Sequence, residues 1–144
     1  MTVVFLEAEG TASVVLVLPD DAEIYLDYRH SVIREPVREV FVAQPSDGFL
    51  LIRTEHRSFG AGLPTESHGG FRRENGVYVI SGIDRPFTVI PLRVTEGSQQ
   101  RLSIQGSSEI NLLDFFEASK LVTITSRRLP RAGYIFMARE VSHP

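Results

Sequence analysis

The feature that most constrains this chain is its punctuation. Turn signals fall at strand-length intervals along most of the sequence, and the runs between them alternate rather than follow a helical period, the pattern of an all-β domain. Thr2–Ala8 and Ser13–Leu18 flank "EGTA", a hairpin sequence built on Gly10. In Glu23–Arg29 the alternation is clean: Ile24, Leu26 and Tyr28 point one way, Glu23, Asp27 and Arg29 the other. Pro36–Ala43 follows, then the turn sequence "PSDG" (Pro45–Gly48) and a run from Phe49 to Glu55. Asn75-Gly76 in "FRRENGVYVI" is the strongest short hairpin signal. Phe87–Val94 and Arg101–Gln105 read as a further hairpin across "EGSQ". Leu121–Arg127 and Tyr134–Arg139 read as two closing strands around "RRLPRAG". One segment departs from the pattern. "SSEINLLDFFEASK" spaces Ile110, Leu113 and then Phe116 or Glu117 at helical intervals behind Ser108 as N-cap, which predicts one short helix of two to three turns near residues 109–118. No repeat or linker interrupts the series. The expectation is a single all-β domain over residues 1–144, mainly antiparallel, of about ten strands, sandwich or barrel-like, with that one helix.

Composition removes several functions. A chain of 144 residues buries roughly two thirds of its unfolded surface. A net charge of −3 supplies no basic face, so no nucleic acid is expected as a partner. The absence of cysteine excludes disulfides, thiolate metal sites and a cysteine nucleophile. Fourteen arginines stand against a single lysine, Lys120. Guanidinium forks suit carboxylate and phosphate, but these are spread along the whole chain as ordinary surface pairing would spread them. No apolar run approaches the ~18–20 residues of a membrane span. "MTVVFLEAEG" lacks a basic start and is broken by Glu7 and Glu9, so it fails as a signal peptide, and the chain as given reads as soluble.

Two strings stand out. "YRHSVIREPVREVF" (Tyr28–Phe41) sets His30, Ser31, Glu35 and Glu39 within strand-like sequence. Pro36 pushes Glu35 out of helical geometry, so the chain turns between Val32 and Glu35 and re-enters the sheet at Pro36. Val37, Glu39 and Phe41 then share one face; Arg38, Val40 and Val42 share the other. Apolar residues on both faces imply burial on both, so Glu39 or Arg38 needs an internal partner. Antiparallel pairing of Tyr28–Ser31 with this strand is a way to bring His30 to Glu39. Three readings stay open: a structural corner, a ligand or partner site, and a catalytic set with His30 as base and Glu39 as its orienter. Adjacent His30 and Ser31 point to opposite faces, which places His30 poorly for activating Ser31. "SFGAGLP" (Ser58–Pro64) is the second string. Its Gly60, Ala61, Gly62, Leu63 and Pro64 suit either a structural loop or an anion-binding nest of N–H groups, with Arg72, Arg73 or Arg85 as countercharge. Walker and dinucleotide spacings are missing, so no cofactor is expected. His30, His56 and His68, with Glu39, Glu55 and Glu66, lack metal-ligand spacing, and no metal is expected either. The basic loop "SRRLPRAG" (Arg127, Arg128, Arg131) reads as a solvated hairpin tip rather than a lipid contact, and His143 as terminal.

Taken in order, Tyr28, His30, Ser31 and Val32, then Pro36, Val37 and Glu39, then Phe59–Pro64, Gly69, Gly70 and Asp84–Pro86 resemble the prokaryotic family called domain of unknown function 1850. Arg29 departs from the small polar residue common at that position. The family has no assigned activity. What the resemblance implies is a setting: small proteins with a hydrophobic N-terminal segment, often encoded beside TRAP-type transporter permeases. The segment is missing from this chain. The reading is a non-enzymatic binding or interaction module, an extracytoplasmic accessory of a TRAP-type uptake system. Its partners would be the permease or the solute-binding protein, with membrane contact only through that missing segment. The residues expected at the site are His30, Ser31, Glu39, Gly60–Pro64, Arg72 and Arg85. The alternatives are a binder of a small organic acid or other anion, and a hydrolase using His30 and Glu39.

Overall fold

The computed structural model of the protein describes residues 1–30, 32, 34–57 and 70–130. Among these residues eleven strands run β1 Thr2–Ala8, β2 Thr11–Leu18, β3 Glu23–Arg29, β4 Pro36–Ala43, β5 Phe49–His56, β6 Gly70–Glu74, β7 Val77–Phe87, β8 Ile90–Arg93, β9 Arg101–Ile104, β10 Ile110–Asn111 and β11 Leu121–Arg128. They form two antiparallel sheets, one of four strands ordered β2-β1-β11-β8 and one of seven ordered β10-β9-β3-β4-β5-β7-β6. Neither closes on itself, so of the two expected architectures the sandwich is the one formed.

The hairpins follow from their turn residues. Glu9 and Gly10 (φ 55° and 78°) join β1 to β2, and Asn75 and Gly76 (φ 53° and 78°) join β6 to β7. Both central residues are left-handed in each, the geometry whose twist matches the flanking strands. Between the sheets lies one apolar cluster. The smaller sheet supplies Val4, Leu6, Val14, Leu18, Val122 and Ile124, and the larger supplies Ile24, Leu26, Phe41, Phe49, Leu51 and Leu102. Phe41 sits edge-to-face on Phe49 and Phe87, with ring centroids 6.2 Å and 6.0 Å away.

Two expectations are corrected. Phe87–Val94 and Arg101–Gln105 do not form a hairpin. Phe87 ends β7 opposite Phe49, β8 pairs with β11 in the smaller sheet, and β9 pairs with β3 and β10 in the larger. The intervening segment changes sheets, and Gln100, only 5% exposed, holds it there. Its Nε2 donates to the Arg93 carbonyl (2.7 Å), its Oε1 accepts from Thr95 N–H (3.1 Å), and its own carbonyl accepts from Leu112 N–H (3.1 Å). An amide that satisfies buried backbone in this way replaces the ladder a hairpin would have made. The short helix is a single 3-10 turn, Leu112–Asp114, capped by Asn111, whose side chain accepts from Leu113 N–H; Ser108 does not cap it. Only Leu112 of that turn is buried, and β10 takes up Ile110 and Asn111, so too little sequence is left for a longer helix. The expected strand Tyr134–Arg139 lies outside the described residues, as do Ser31, Phe59–Pro64, Glu66, His68, Gly69, Arg131 and His143.

Candidate functional site: the inner face of the larger sheet

Residues directly opposite across an antiparallel ladder share a face. The register of the larger sheet therefore lays out two adjacent rows on the side that faces the sandwich interior. One runs Leu102, Leu26, Glu39, Thr54, Ile80, Phe71; the other runs Tyr28, Val37, His56, Tyr78, Arg73. The first row starts in the core, with Leu102 and Leu26 each 2% exposed, and then becomes polar at Glu39 and Thr54. Val37 and Ile80 are buried there without belonging to the inter-sheet cluster, so the rows extend past the sandwich core.

Glu39 is the unusual member. Burial holds its carboxyl above the ordinary carboxylate value, while the positive field of Arg85 and a hydrogen bond from the Tyr28 hydroxyl act in the opposite sense. Burial likewise raises Tyr28, as does the adjacent Glu39 charge. No ion pair among the described residues includes Glu39. Its cross-strand neighbour Thr54 carries a buried Oγ1 with no hydrogen-bond partner among the described residues. Arg85 pairs in register with Leu51 between Ile83 and Phe87, which both pack on the core, but its own side chain is exposed. Burial and the neighbouring His30 both hold the His56 imidazole below its ordinary value.

The opposite face is a different surface. Arg101, Asp27, Arg38 and Glu55 form a row of alternating sign. Arg38 is forked onto Asp27 (2.7 Å and 3.1 Å) and lies over the Tyr25 ring. Arg53 holds Glu23 through two nitrogens (2.8 Å and 3.0 Å) and Glu55 through its Nε (2.9 Å). Arg38 is thus satisfied within its own sheet, and Glu39 is left as the internal polar group of β4.

The register separates His30 from Glu39. The His30 N–H donates to the Glu35 carbonyl (2.9 Å), closing the corner, whereas Glu39 stands four residues further on, roughly 13 Å along the strand. The expected hydrogen bond between the two is therefore not made. His30 Nδ1 accepts from Val32 N–H (3.1 Å), Arg34 takes a left-handed φ of 61°, and Arg29 Nη1 donates to its carbonyl (3.1 Å). His30 so belongs to a strand–corner–strand unit that re-enters the sheet at Pro36. Arg72 lies on the outer face, paired with Glu74 (3.0 Å), away from Glu39. Ser31 and Gly60–Pro64 are outside the described residues. Among the described residues no three metal-ligating side chains converge, and no helix is long and apolar enough to cross a membrane. Thr54 was invisible to sequence reasoning. An extra residue in β5 at Ile52, where the ladder shifts, sets which of its side chains face inward, and no residue type announces it.

Residues 24–112 match the family described as domain of unknown function (DUF1850), and the chain belongs to that family. No curated protein and no solved structure matches it.

Proposed function

We propose that this member of the DUF1850 family is a binding module rather than an enzyme, acting as an extracytoplasmic accessory of a TRAP-type solute uptake system. The permease or solute-binding protein would be met through the polar part of the inner face of the larger sheet. One observation supports binding there: the buried Thr54 hydroxyl has no hydrogen-bond partner among the described residues and stands directly across the ladder from the buried Glu39 carboxyl, an arrangement that a purely structural row of a sheet seldom keeps. The transporter setting rests on the resemblance of the ordered motifs. Glu39, Thr54 and Tyr28 form the centre of the proposed surface, and His30 and His56 its margin. Ser31 and Gly60–Pro64 join it on sequence grounds. Arg72, held by Glu74 on the other face, takes no part.

The test is retention of detergent-solubilised permease and solute-binding protein by the immobilised chain, beside a Glu39→Gln/Thr54→Val double variant. The expected outcome is capture of one of them by the parent and at least tenfold weaker capture by the variant, about 1.4 kcal/mol. Capture of neither ends the transporter assignment; equal capture by both chains moves the surface elsewhere. A second reading, a small organic acid as ligand, is favoured by Arg85, an exposed guanidinium with no ion pair among the described residues yet within electrostatic reach of Glu39. It predicts a thermal shift with carboxylates that Arg85→Gln removes.

A further inference from the structure

Among the described residues the two sheets end in four edge strands, β2 and β8 in the smaller, β10 and β6 in the larger. Natural sheets guard such edges with charge, proline or brevity, because an open edge is a template for another strand. Three of these are guarded. β6 carries Arg72, Arg73 and Glu74; β8 has four residues, including Pro91 and Arg93; β10 has two residues. β2 differs. Its eight residues, "TASVVLVL", include neither charge nor proline. Its one irregularity falls at the Ser13 end, leaving Val14–Leu18 in unbroken register with β1. Val14 and Leu18 are 8% and 1% exposed, yet Leu16, which lies between them and packs on the same core, stays partly exposed.

We propose that β2 is a pairing surface for a second copy of this chain, joined antiparallel across a two-fold axis at Leu16. Charge selects that occupant. Self-pairing sets each side chain near its own copy, so a charged edge such as β6 would repel itself, whereas β2 has nothing to repel. Centred on Leu16, the pairing sets Val15 opposite the second copy's Val17 and Val14 opposite its Leu18. Aliphatic side chains then meet on both faces, and the four-stranded sheet continues as one of eight strands.

The experiment uses the full chain. Light scattering behind size exclusion is expected to give twice the monomer mass, falling to the monomer mass in Val15→Lys with the circular dichroism spectrum unchanged. Because the protein has no cysteine, Leu16→Cys introduces a single thiol. On the axis the two Cα atoms would lie about 4.5–5.5 Å apart, within disulfide range. Mild oxidation should then give a covalent dimer for Leu16→Cys and none for Phe71→Cys on the guarded edge. Should Val15→Lys unfold, the cross-link decides alone. Monomer mass for the parent at every concentration, or cross-linking no faster at Leu16 than at Phe71, overturns the proposal; a dimer in which Leu16→Cys fails to cross-link does so too.

Discussion

Replacing Gln100 by leucine tests the reasoning behind the sheet switch. The side chain serves two backbone groups, the Arg93 carbonyl at 2.7 Å and the Thr95 N–H at 3.1 Å, at a position only 5% exposed. Leucine nearly matches glutamine in volume, so no large cavity opens, but both backbone groups lose their partner where water scarcely reaches. Each such orphan costs about 1–3 kcal/mol. The added apolar area of leucine returns roughly 1 kcal/mol. The net loss is about 1–5 kcal/mol, which for a domain near 150 residues lowers the midpoint by roughly 2–20 °C. Thermal unfolding followed by circular dichroism reads this directly. Gln105→Leu, at an exposed glutamine just past β9, is the matched control and should stay within about 0.5 kcal/mol of the parent. If Gln100→Leu melts with its control, the amide does not hold the crossing, and the account of why β8 and β9 part company is wrong.

Glu39→Gln should show a pH-dependent gain. Burial raises the folded pKa above the unfolded one, so the stability tied to protonated Glu39 is full below the unfolded value of about 4.3 and is lost as pH rises through the folded value. Parent and variant should therefore melt alike in acid, with the variant higher at neutral pH. Equal midpoints across that range would mean that the carboxyl bears no burial cost. At Gly48 (φ 85°) an added Cβ would lie 2.7 Å from the Phe87 carbonyl oxygen, whereas at Gly10 (φ 78°) it would meet nothing within 4 Å. Gly48→Ala should cost about 2–4 kcal/mol and Gly10→Ala only about 1 kcal/mol, from backbone strain. Chemical denaturation of the pair gives the difference, and equal losses would contradict the close approach of β7 to that turn.

Much of the larger sheet was legible in the sequence because its signals are local. Alternation over Glu23–Arg29, the break at Pro36 and the Asn75-Gly76 turn each depend on neighbours a few residues apart, and β3, β4 and β7 begin where those signals place them. What failed was long-range. The "EGSQ" segment looks like a turn, and only the burial of Gln100 between two sheets reveals it as a crossing. Residues 109–118 carry a helical spacing, yet pairing of Ile110 with Leu102 takes the start of that run into the sheet. The site was half legible. The face of Glu39 followed from alternation, but its partners did not. Whether His30 or Thr54 lies beside it depends on register, and register is fixed by bulges and corner closure that no single residue type signals.

The outer face of the larger sheet has a consequence for how anything charged approaches the molecule. Arg38, Arg53, Arg72 and Arg101 each sit within 4 Å of an acid on the same surface, so their charges cancel over distances close to one strand spacing, about 4.8 Å. A field made of such alternating pairs dies away before salt has begun to screen it, since the Debye length at physiological ionic strength is about 8 Å. For all its guanidinium groups, this surface exerts little pull on a distant polyanion. Whatever it selects, it must select on contact, with an encounter rate nearly indifferent to ionic strength.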